Sequence, residues 1–303
     1  MKKILITGSN GLLGQKLVLL LSKMPDIELI ATARGENRLA ITEGYIYQKM
    51  DITNAEEVAE IVGKNKPDVI IHTAAMTNVD QCETEKELCW QMNVNAVEYL
   101  VNACKTIDCL LVHLSTDFIF DGKKGPYDEN ASPNPISYYG ESKLAAEQII
   151  LASNIRWAIA RTVLVYGIVD DMSRTNIILW VKKSLEDGKK INVVTDQFRT
   201  PTLAEDLAMG CWQIAENEAT GIFNISGKDL LTPYEMAIKT ADFFGLNKSL
   251  ISMADSSTFS QTAKRPPRTG FIIDKATAKL GYKPHSFEQG IKIVAEQFEF
   301  ANK

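Results

Sequence analysis

Cysteine and histidine are scarce in this sequence, and it contains no long apolar run. The 303 residues include five cysteines without a Cys-x-x-Cys pair, an odd number that suits reduced thiols in a cytoplasmic protein. The three histidines, His72, His113 and His285, are far apart, so a metal site is not expected. Because no stretch approaches about 18 consecutive apolar residues, no transmembrane helix is expected either.

An excess of positive charge is also lacking. The formal net charge of −5 argues against a general binder of nucleic acids or of anionic membranes. Hydrophobic residues make up 45% of the chain and charged residues 23%, proportions that are typical of a soluble globular protein. The length suits one large α/β domain or two closely joined ones, and we find no internal repeat and no flexible linker.

Apolar segments alternate with helical patterns through the first half of the chain. Predicted strands cover Lys3–Thr7, Ile27–Ala33, Tyr45–Met50, Val69–Thr73, Leu110–Leu114 and Trp157–Leu164. Predicted helices cover Leu12–Lys23, Ala55–Lys64, Glu85–Lys105 and Ser137–Leu151. The strands are almost continuously apolar, which is typical of a parallel sheet covered on both faces. We therefore predict a Rossmann-type, doubly wound α/β fold.

The second half of the chain changes character. Short strands are predicted at Ile191–Val194 and Gly221–Ser226, helices are predicted at Asn176–Asp187, Leu203–Ala215 and Pro233–Phe244, and the C-terminal part reads as broken helical segments. We predict a dinucleotide-binding domain over residues 1–166 and about 200–227, and a smaller α/β substrate-binding domain over residues 167–199 and 228–303. The ligand cleft is expected between them.

A glycine-spaced turn joins the first predicted strand to the first predicted helix. It reads Gly8-Ser9-Asn10-Gly11-Leu12-Leu13-Gly14. The early glycines permit a tight bend and close approach of the backbone to a pyrophosphate, and free N–H groups at the helix N-terminus bind the anion. The spacing of three and three differs from the commonest dinucleotide fingerprint, but the position of the turn predicts a dinucleotide site.

The end of the second predicted strand bears on which dinucleotide binds. Its last residues, up to Arg34, include no acid for an adenosine ribose hydroxyl, and Arg34 itself suits a 2′-phosphate. This favours NADPH, with NADH left open and a solvated surface arginine as the alternative for Arg34. Asp51 and Ile52, after the third strand, are expected beside the adenine, although Asp51 is equally suited to cap a helix.

A tyrosine and a lysine stand four residues apart in the fourth predicted helix. Tyr139 and Lys143 share one helix face, where the ammonium is expected to lower the phenol pKa and allow proton transfer to or from a substrate oxygen. Taken alone, such a pair is usually surface decoration. Ser115 and Thr116 follow the fifth strand, at the sheet edge where doubly wound folds bind ligands, and this gives the pair weight.

The chain resembles the dTDP-4-dehydrorhamnose reductase family, within the extended short-chain dehydrogenase/reductase superfamily, over nearly its whole length. The resemblance lies in a series of motifs in family order: the glycine turn, Ala74-Ala75-Met76-Thr77-Asn78-Val79-Asp80, Ser115-Thr116-Asp117-Phe118-Ile119-Phe120, Tyr139-Gly140-Glu141-Ser142-Lys143, Asp196-Gln197-x-x-x-Pro201-Thr202 and Arg265-Pro266. The family has the predicted Rossmann-type fold and uses a nicotinamide cofactor.

The resemblance implies roles for individual residues. Tyr139 would protonate the C4 carbonyl oxygen of a nucleotide-linked 4-keto-6-deoxysugar, Lys143 would hold the ribose hydroxyls, and Thr116 would hydrogen-bond the developing alkoxide. Ser115 competes with Thr116, and we expect only one to serve because neighbours on an extended strand point to opposite sides. Ala74 and Ala75 would contact the cofactor. Residues expected at the sugar nucleotide are Asp117, Phe118 and Leu164 from the resemblance, and, from their position in loops that border the cleft, Arg199, Arg268, Met76, Thr77 and Val79, with loop packing as the alternative for the last three.

Two further functions stay open beside reduction of dTDP-4-dehydrorhamnose. Leu164 and Phe118 stand where the family has tryptophan and tyrosine, which alters the sugar pocket but not the reaction type. The same tyrosine and lysine would also serve a nucleotide-sugar epimerase. The regulatory β subunit of methionine adenosyltransferase resembles this family too, so a non-catalytic, NADP-binding role is the alternative outside catalysis. A homodimer is left open.

Overall fold

Eleven strands and eleven α-helices are present in the computed structural model, which describes residues 1–169 and 175–301. The strands are β1 (Lys2–Thr7), β2 (Ile27–Ala33), β3 (Ile46–Lys49), β4 (Val69–His72), β5 (Leu110–Thr116), β6 (Arg156–Thr162), β7 (Val165–Tyr166), β8 (Ile191–Val194), β9 (Thr202–Leu203), β10 (Gly221–Asn224) and β11 (Ile251–Ala254). The helices are α1 (Leu12–Leu21), α2 (Ala55–Asn65), α3 (Val79–Thr84), α4 (Lys86–Trp90), α5 (Ala96–Ile107), α6 (Tyr138–Leu151), α7 (Ile177–Glu186), α8 (Ala204–Glu216), α9 (Pro233–Phe243), α10 (Asp274–Leu280) and α11 (Phe287–Ala301).

Seven parallel strands form the central sheet, in the order β3-β2-β1-β4-β5-β6-β10. The chain winds outward in one direction from β1 to β3, and β4 then starts the other half beside β1. The carboxyl ends of β1 and β4 therefore flank the point where the strand order reverses, which is where doubly wound folds bind ligands. The predicted Rossmann-type fold class is confirmed.

The sheet is covered on both faces, which explains why its strands are almost continuously apolar. On β1, Ile4 and Ile6 pack in the cluster that contains α1, α8 and α10, whereas Leu5 between them packs against α2, α5 and α6. All three side chains are fully buried. Alternation of side chains across the strand thus sends apolar residues into both cores, and the sheet is held at a fixed position between two helical layers.

The second half of the chain adds a smaller unit beside the carboxyl edge of the sheet. β8 and β11 pair in parallel, and their buried residues pack with α7 and α9. The prediction that the C-terminal part is helical was wrong at β11, which is short and has an exposed Met253. The predicted boundary between two domains remains a prediction, and residues 170–174 and 302–303 of the predicted substrate-binding range lie outside the described residues.

The single helix predicted over Glu85–Lys105 is interrupted in the structure. A π-helical turn, Gln91–Asn95, separates α4 from α5 and places the Asn93 side chain in the interior. Asn93 Oδ1 accepts from the backbone N–H of Met76 at 2.8 Å, and Nδ2 donates to its carbonyl at 3.1 Å. Nδ2 is also 3.0 Å from Ser142 Oγ. The extra residue of the π turn thereby fixes both the loop after β4 and the helix α6.

No helix in the described ranges is long and apolar enough to cross a membrane.

Candidate active site

A cleft of about 760 Å³ lies at the carboxyl edge of the central sheet. Its wall includes the glycine turn, the loop after β4, the end of β5 and one face of α6. The structure thus brings together many of the residues singled out from the sequence. Those that line the cleft are Asn10, Gly11, Leu12, Leu13, Gly14, Ala75, Thr77, Val79, Ser115, Thr116, Asp117, Phe118, Tyr139, Lys143 and Leu164.

The remaining residues singled out from the sequence do not line the cleft within the described chain. Four of them belong to segments that form the wall of the cleft. Gly8 and Ser9 lie in the turn after β1, and Ala74 and Met76 lie in the loop after β4. Ile52 is buried in the core on the α2 side of the sheet. The others are Arg34, Asp51, Arg199 and Arg268.

The glycine turn has the geometry that a dinucleotide pyrophosphate needs. Gly8 has a φ of 70°, and a Cβ there would come within 2.8 Å of the backbone of Ala74. A Cβ on Gly14 would come within 2.2 Å of the Gly8 carbonyl oxygen, so only glycine allows α1 to start so close to β1. No side chain caps α1 at Gly11, which leaves N–H groups of its first turn for an anion. Ser9 Oγ is buried without a hydrogen-bond partner among the described residues.

The loop after β2 brings a different arginine to the cleft from the one predicted. Arg34 is exposed and outside the cleft, whereas Arg38 lines it. Asn10 of the glycine turn holds this loop, because its Oδ1 accepts from the backbone N–H of Arg38 at 3.0 Å and its Nδ2 donates to the Glu36 carbonyl at 2.8 Å. The contact between Asn10 and this loop could not be predicted from the local sequence. Arg34 and Arg38 lie in the same loop, and only its folded shape determines which of them reaches the cleft.

Asp51 stabilises a turn between β3 and α2. Its Oδ1 accepts from the backbone N–H of Thr53 at 2.9 Å and from the Thr53 hydroxyl at 2.7 Å, which stabilises the turn that leads into α2. The actual N-cap of α2 is Asn54, whose side chain accepts from Glu56 and Glu57. Asp51 is therefore not the cap of α2 but part of the turn before it, and its contact with adenine stays a prediction.

Tyr139 and Lys143 lie on the first turns of α6, facing the cleft. Ser137 caps this helix by accepting from the Gly140 N–H at 3.3 Å. The Tyr139 ring packs edge-on against Phe118, with ring centroids 5.6 Å apart. Tyr139 is 8% exposed and Lys143 is 3% exposed, so both groups are held against the floor of the cleft rather than on the surface. The reading of this pair as surface decoration is excluded.

Burial dominates the proton affinity of both groups. It raises the pKa of Tyr139 above its ordinary value, against a smaller lowering by the Thr116 hydrogen bond. It lowers the pKa of Lys143 to about 8, although the nearby Glu147 carboxylate acts in the opposite direction. The expected lowering of the phenol pKa by the ammonium is therefore wrong for the protein without ligands, because burial raises this pKa and Lys143 is not among the groups that lower it. Tyr139 holds its proton at neutral pH.

Thr116 and Ser115 both line the cleft, and the expectation that only one of the two hydroxyls serves in the reaction stays a prediction. The Thr116 hydroxyl donates to Asp117 Oδ1 at 3.1 Å and accepts from the backbone N–H of Phe118 at 3.2 Å. The Ser115 hydroxyl is buried and has no hydrogen-bond partner among the described residues. Thr116 is thus pre-oriented next to Tyr139, and Ser115 offers a hydroxyl that a ligand can use.

Asp117 links the end of β5 to the second half of the chain. It is 2% exposed, and its Oδ2 accepts from the Thr269 hydroxyl and is 3.7 Å from Arg199 Nε. Burial raises the pKa of this carboxyl, and the Arg199 guanidinium opposes the rise. Asp117 borders the cleft, but its oxygens are used by protein groups, which makes it a support for Thr116 rather than a group free to bind a sugar.

The two arginines predicted at the substrate are engaged elsewhere. Arg199 is 5% exposed, and its Nη1 and Nη2 donate to the carbonyls of Phe198 and Pro266, each at 2.7 Å. Arg268 Nε donates to the Gly125 carbonyl at 2.9 Å. The carbonyls of Pro266 and Gly125 would lose these donors if the guanidinium groups turned toward a ligand, so the prediction is not supported for either arginine.

Arg265 is the arginine of this segment that lines the cleft. Its guanidinium makes a two-pronged ion pair with Asp80, at 2.7 and 3.2 Å, and this hydrogen bonding lowers the pKa of Asp80. The sequence pointed to Arg265 only as part of a family motif. The two prolines after Arg265 could have indicated its position, since they restrict the backbone conformation of the segment that carries it.

Several other residues of the cleft wall were missed from the sequence. Most lie at or just after the carboxyl end of a strand of the central sheet or precede α7, so their position at this edge was the available signal. They are Arg38, Thr73, Leu114, Thr162, Val165, Gly167, Val169, Thr175, Asn176, Leu207 and Arg265. In the part of the chain that the structure describes, no group of three or more histidine, cysteine, aspartate or glutamate side chains could hold a metal ion.

Comparison with known proteins gives a consistent family. The model of the RmlD substrate binding domain matches residues 1–300. A dTDP-4-dehydrorhamnose reductase of Aggregatibacter actinomycetemcomitans is 30% identical over 96% of this chain and 98% of its own. The methionine adenosyltransferase 2 subunit beta of Rattus norvegicus is 31% identical over 96% of this chain and 86% of its own. The crystal structure of dTDP-4-dehydrorhamnose reductase from Bacillus anthracis in complex with NADP has 28% identity and a TM-score of 0.84, over 98% of this chain and all of that one.

Proposed function

Because the chain belongs to the RmlD substrate binding domain family, we propose that it is an NADPH-dependent reductase of a nucleotide-linked 4-keto-6-deoxysugar. The default substrate is dTDP-4-dehydrorhamnose, the compound named for the relative of 30% identity. The main support for this proposal is that Thr116, Tyr139 and Lys143 line the same cleft as the glycine turn. A hydroxyl, a phenol and an ammonium beside a dinucleotide site are the groups that carbonyl reduction needs.

The residues present fit a dinucleotide. The uncapped start of α1 and the glycine turn would take the pyrophosphate, and Arg38, which lines the cleft at the loop after β2, would take a ribose 2′-phosphate. A solved relative of 28% identity contains NADP, which supports the same choice here. When bound, the reduced nicotinamide supplies the hydride.

Tyr139 acts as the acid of the reaction. Reduction of a ketone requires a proton on the carbonyl oxygen, and the buried phenol keeps its proton at neutral pH because its pKa is raised. Thr116, which lines the same cleft as Tyr139, donates to the same oxygen as negative charge develops there. Such donors contribute on the order of 3 kcal/mol to transition-state stabilisation in comparable sites. Lys143 holds the ribose hydroxyls and, while charged, stabilises the phenolate that proton transfer leaves.

The sugar nucleotide would lie toward the loop after β4 and the segment that carries Arg265. Thr77 and Val79 line this side, and Leu164 lines the cleft with 44% of its surface exposed and a φ of 37°. A leucine in this left-handed backbone conformation is uncommon, and here it presents an apolar surface to the ligand space. Arg265 replaces Arg199 and Arg268 as the proposed contact of the diphosphate, because it lines the cleft.

Oxidation of NADPH tests the proposal, with dTDP-4-keto-6-deoxyglucose as substrate in the presence and absence of a 3,5-epimerase. We expect epimerase-dependent oxidation by the wild type and a loss of at least about 100-fold in Tyr139→Phe, as for removal of a general acid. Tyr138→Phe is the matched control, since Tyr138 is the preceding residue of α6 and does not border the cleft described above. Equal rates in both variants would overturn the role of Tyr139.

A regulatory role is the second candidate, because the rat β subunit of methionine adenosyltransferase matches this chain as well as the reductase does. The complete set of Thr116, Tyr139 and Lys143 in one cleft favours catalysis. Tight NADPH binding without oxidation of any keto sugar, together with a stable complex with an unrelated enzyme, would favour regulation. An epimerase would interconvert sugars without net consumption of NADPH.

A further inference from the structure

Two buried histidines connect the glycine turn to the lysine of α6. Thr7, His72 and His113 occupy one row across β1, β4 and β5, since Thr7 is paired in register with His72 and His72 with His113. Thr7 Oγ1 is 2.7 Å from His72 Nδ1, and the two imidazole rings stack with centroids 5.4 Å apart. At the end of the row, His113 Nε2 is 3.1 Å from Lys143 Nζ.

His113 is shielded from solvent, and the hydrogen-bond contact of its ring is with Lys143. Its side chain is fully buried, and Nδ1 has no hydrogen-bond partner within the described residues. The ring is neutral, because burial and the adjacent Lys143 charge keep its pKa well below the ordinary value. A neutral ring can accept at Nε2 only if its proton is on Nδ1, so the contact with Lys143 is formed at the cost of a buried N–H without a partner.

The other groups that face Lys143 do not replace this acceptor. The Glu147 carboxylate, one turn along α6, is occupied by two hydrogen bonds from Arg161, at 3.0 and 2.7 Å. Cys89 Sγ is 3.5 Å from both Ser142 Oγ and Asn93 Nδ2. The titratable groups that act on Lys143 or on which it acts are Glu147 on α6, Cys89 on α4, His72 on β4 and His113 on β5, and Tyr139 lies one turn before it on α6.

We propose that His113 is a positioning residue of the reaction, whose neutral imidazole accepts a hydrogen bond from Lys143 Nζ and holds the ammonium charged at the floor of the cleft. The inference rests on the proposed function for its consequence in catalysis, but the contact itself is a property of the protein without ligands. His113 touches neither cofactor nor sugar and acts through Lys143. The stacked His72, itself bonded to Thr7 before the glycine turn, fixes the ring.

Two substitutions of His113 distinguish its role as a hydrogen-bond acceptor from the packing of its ring. His113→Gln keeps a polar group near the position of Nε2, whereas His113→Phe fills the space without an acceptor. Val112→Ala on the same strand is the matched packing control, because Val112 is fully buried on the opposite face of the sheet and does not contact Lys143. All three variants are first compared by thermal unfolding, so that the pH measurements are made only where each is folded.

The first readout is the ionisation of Lys143 in the cofactor-free protein, followed by NMR of isotope-labelled lysine and assigned with Lys143→Met. We expect the acid dissociation constant of Lys143 to rise about tenfold in His113→Phe, as for loss of one hydrogen bond to a charged group, and to stay near wild type in His113→Gln and Val112→Ala. An unchanged constant in His113→Phe would overturn the inference, whether or not the protein is a reductase.

The second readout is the pH profile of NADPH oxidation. The fall of kcat at high pH should move about one pH unit lower in His113→Phe and remain in place in His113→Gln, because activity requires the charged lysine. A uniform loss of kcat with no change in the profile would assign His113 a packing role only. Failure of the proposed function would appear as no turnover in the wild type, with the NMR result intact.

Discussion

At the scale of single residues, burial controls the chemistry of the site. Tyr139 and Lys143 could be predicted as a pair from their spacing, because positions four apart on a helix share a face. Their pKa directions could not, since these depend on how deeply the folded chain buries them. The same holds for Arg34 and Arg38: the end of the second strand predicts an arginine near the cofactor, and only the fold of the loop that Asn10 holds shows that Arg38 is the one that lines the cleft.

Lys143 should destabilise the fold at neutral pH. Its folded pKa of about 8 lies below the ordinary 10.5, a difference that corresponds to about 3 kcal/mol, from which loss of the His113 hydrogen bond takes back about 1 kcal/mol. Lys143→Met is therefore expected to raise the free energy of unfolding by about 2 kcal/mol at pH 7, measured by urea denaturation of the cofactor-free protein.

The pH dependence has a definite sign. Between pH 8 and 10.5 the unfolded chain binds more protons at this lysine than the folded chain does, so wild-type stability rises with pH there. The advantage of Lys143→Met is thus complete below about pH 8 and disappears toward pH 10.5. A variant that is less stable than the wild type at pH 7 would contradict the account.

At the scale of secondary-structure elements, local pattern was sufficient where the apolar residues recur in a clear pattern. Strands such as β1 and helices such as α2 lie within a few residues of their predicted bounds. The break between α4 and α5 could not be predicted, because the π turn exists to bring Asn93 to the backbone of Met76. β11 was missed because a four-residue strand with two exposed side chains has almost no periodic signal.

The π turn should contribute strongly to stability through Asn93. Asn93→Ala removes its hydrogen bonds to both backbone groups of Met76, which leaves the buried N–H without a partner and the carbonyl with only the weak Cys82 thiol donor at 3.7 Å. We expect a loss of about 2–4 kcal/mol in the free energy of unfolding, measured by urea denaturation. Asn102→Ala on the exposed side of α5 should stay within about 0.5 kcal/mol of the wild type. Equal effects of the two substitutions would exclude an anchoring role for the π turn.

At the scale of the whole molecule, the cleft is completed by contacts between distant parts of the chain. Asp117, at the end of β5, bonds Thr269 and lies beside Arg199, and Asp80 of α3 pairs with Arg265. The fold class could be predicted because it follows from alternation of strands and helices. The roles of Arg199, Arg265 and Arg268 could not be predicted. The local sequence does not distinguish these three loop arginines, and only the packing of the loops determines which one lines the cleft.

Arg265 should bind the diphosphate of a sugar nucleotide. Arg265→Gln is expected to weaken binding of dTDP at least about tenfold in titration calorimetry, because a guanidinium contact to phosphate is lost. Unfolding should change by only about 1 kcal/mol, since the pair with Asp80 is partly exposed, with side-chain exposures of 20% and 40%. Lys264→Gln, an adjacent exposed position, is the charge-matched control. Equal weakening by both would indicate general electrostatics instead of a specific contact.

The most direct test of the central claim is deuterium transfer from NADPH labelled at the reactive carbon of the nicotinamide. The labelled cofactor is incubated with the protein, dTDP-4-keto-6-deoxyglucose and a 3,5-epimerase, and the sugar product is analysed by NMR and mass spectrometry. We expect one deuterium at C4 of the product with the wild type, and at least about 100-fold slower formation of this labelled product with Tyr139→Phe. A protein that binds NADPH tightly but transfers no deuterium to C4 would contradict the central claim.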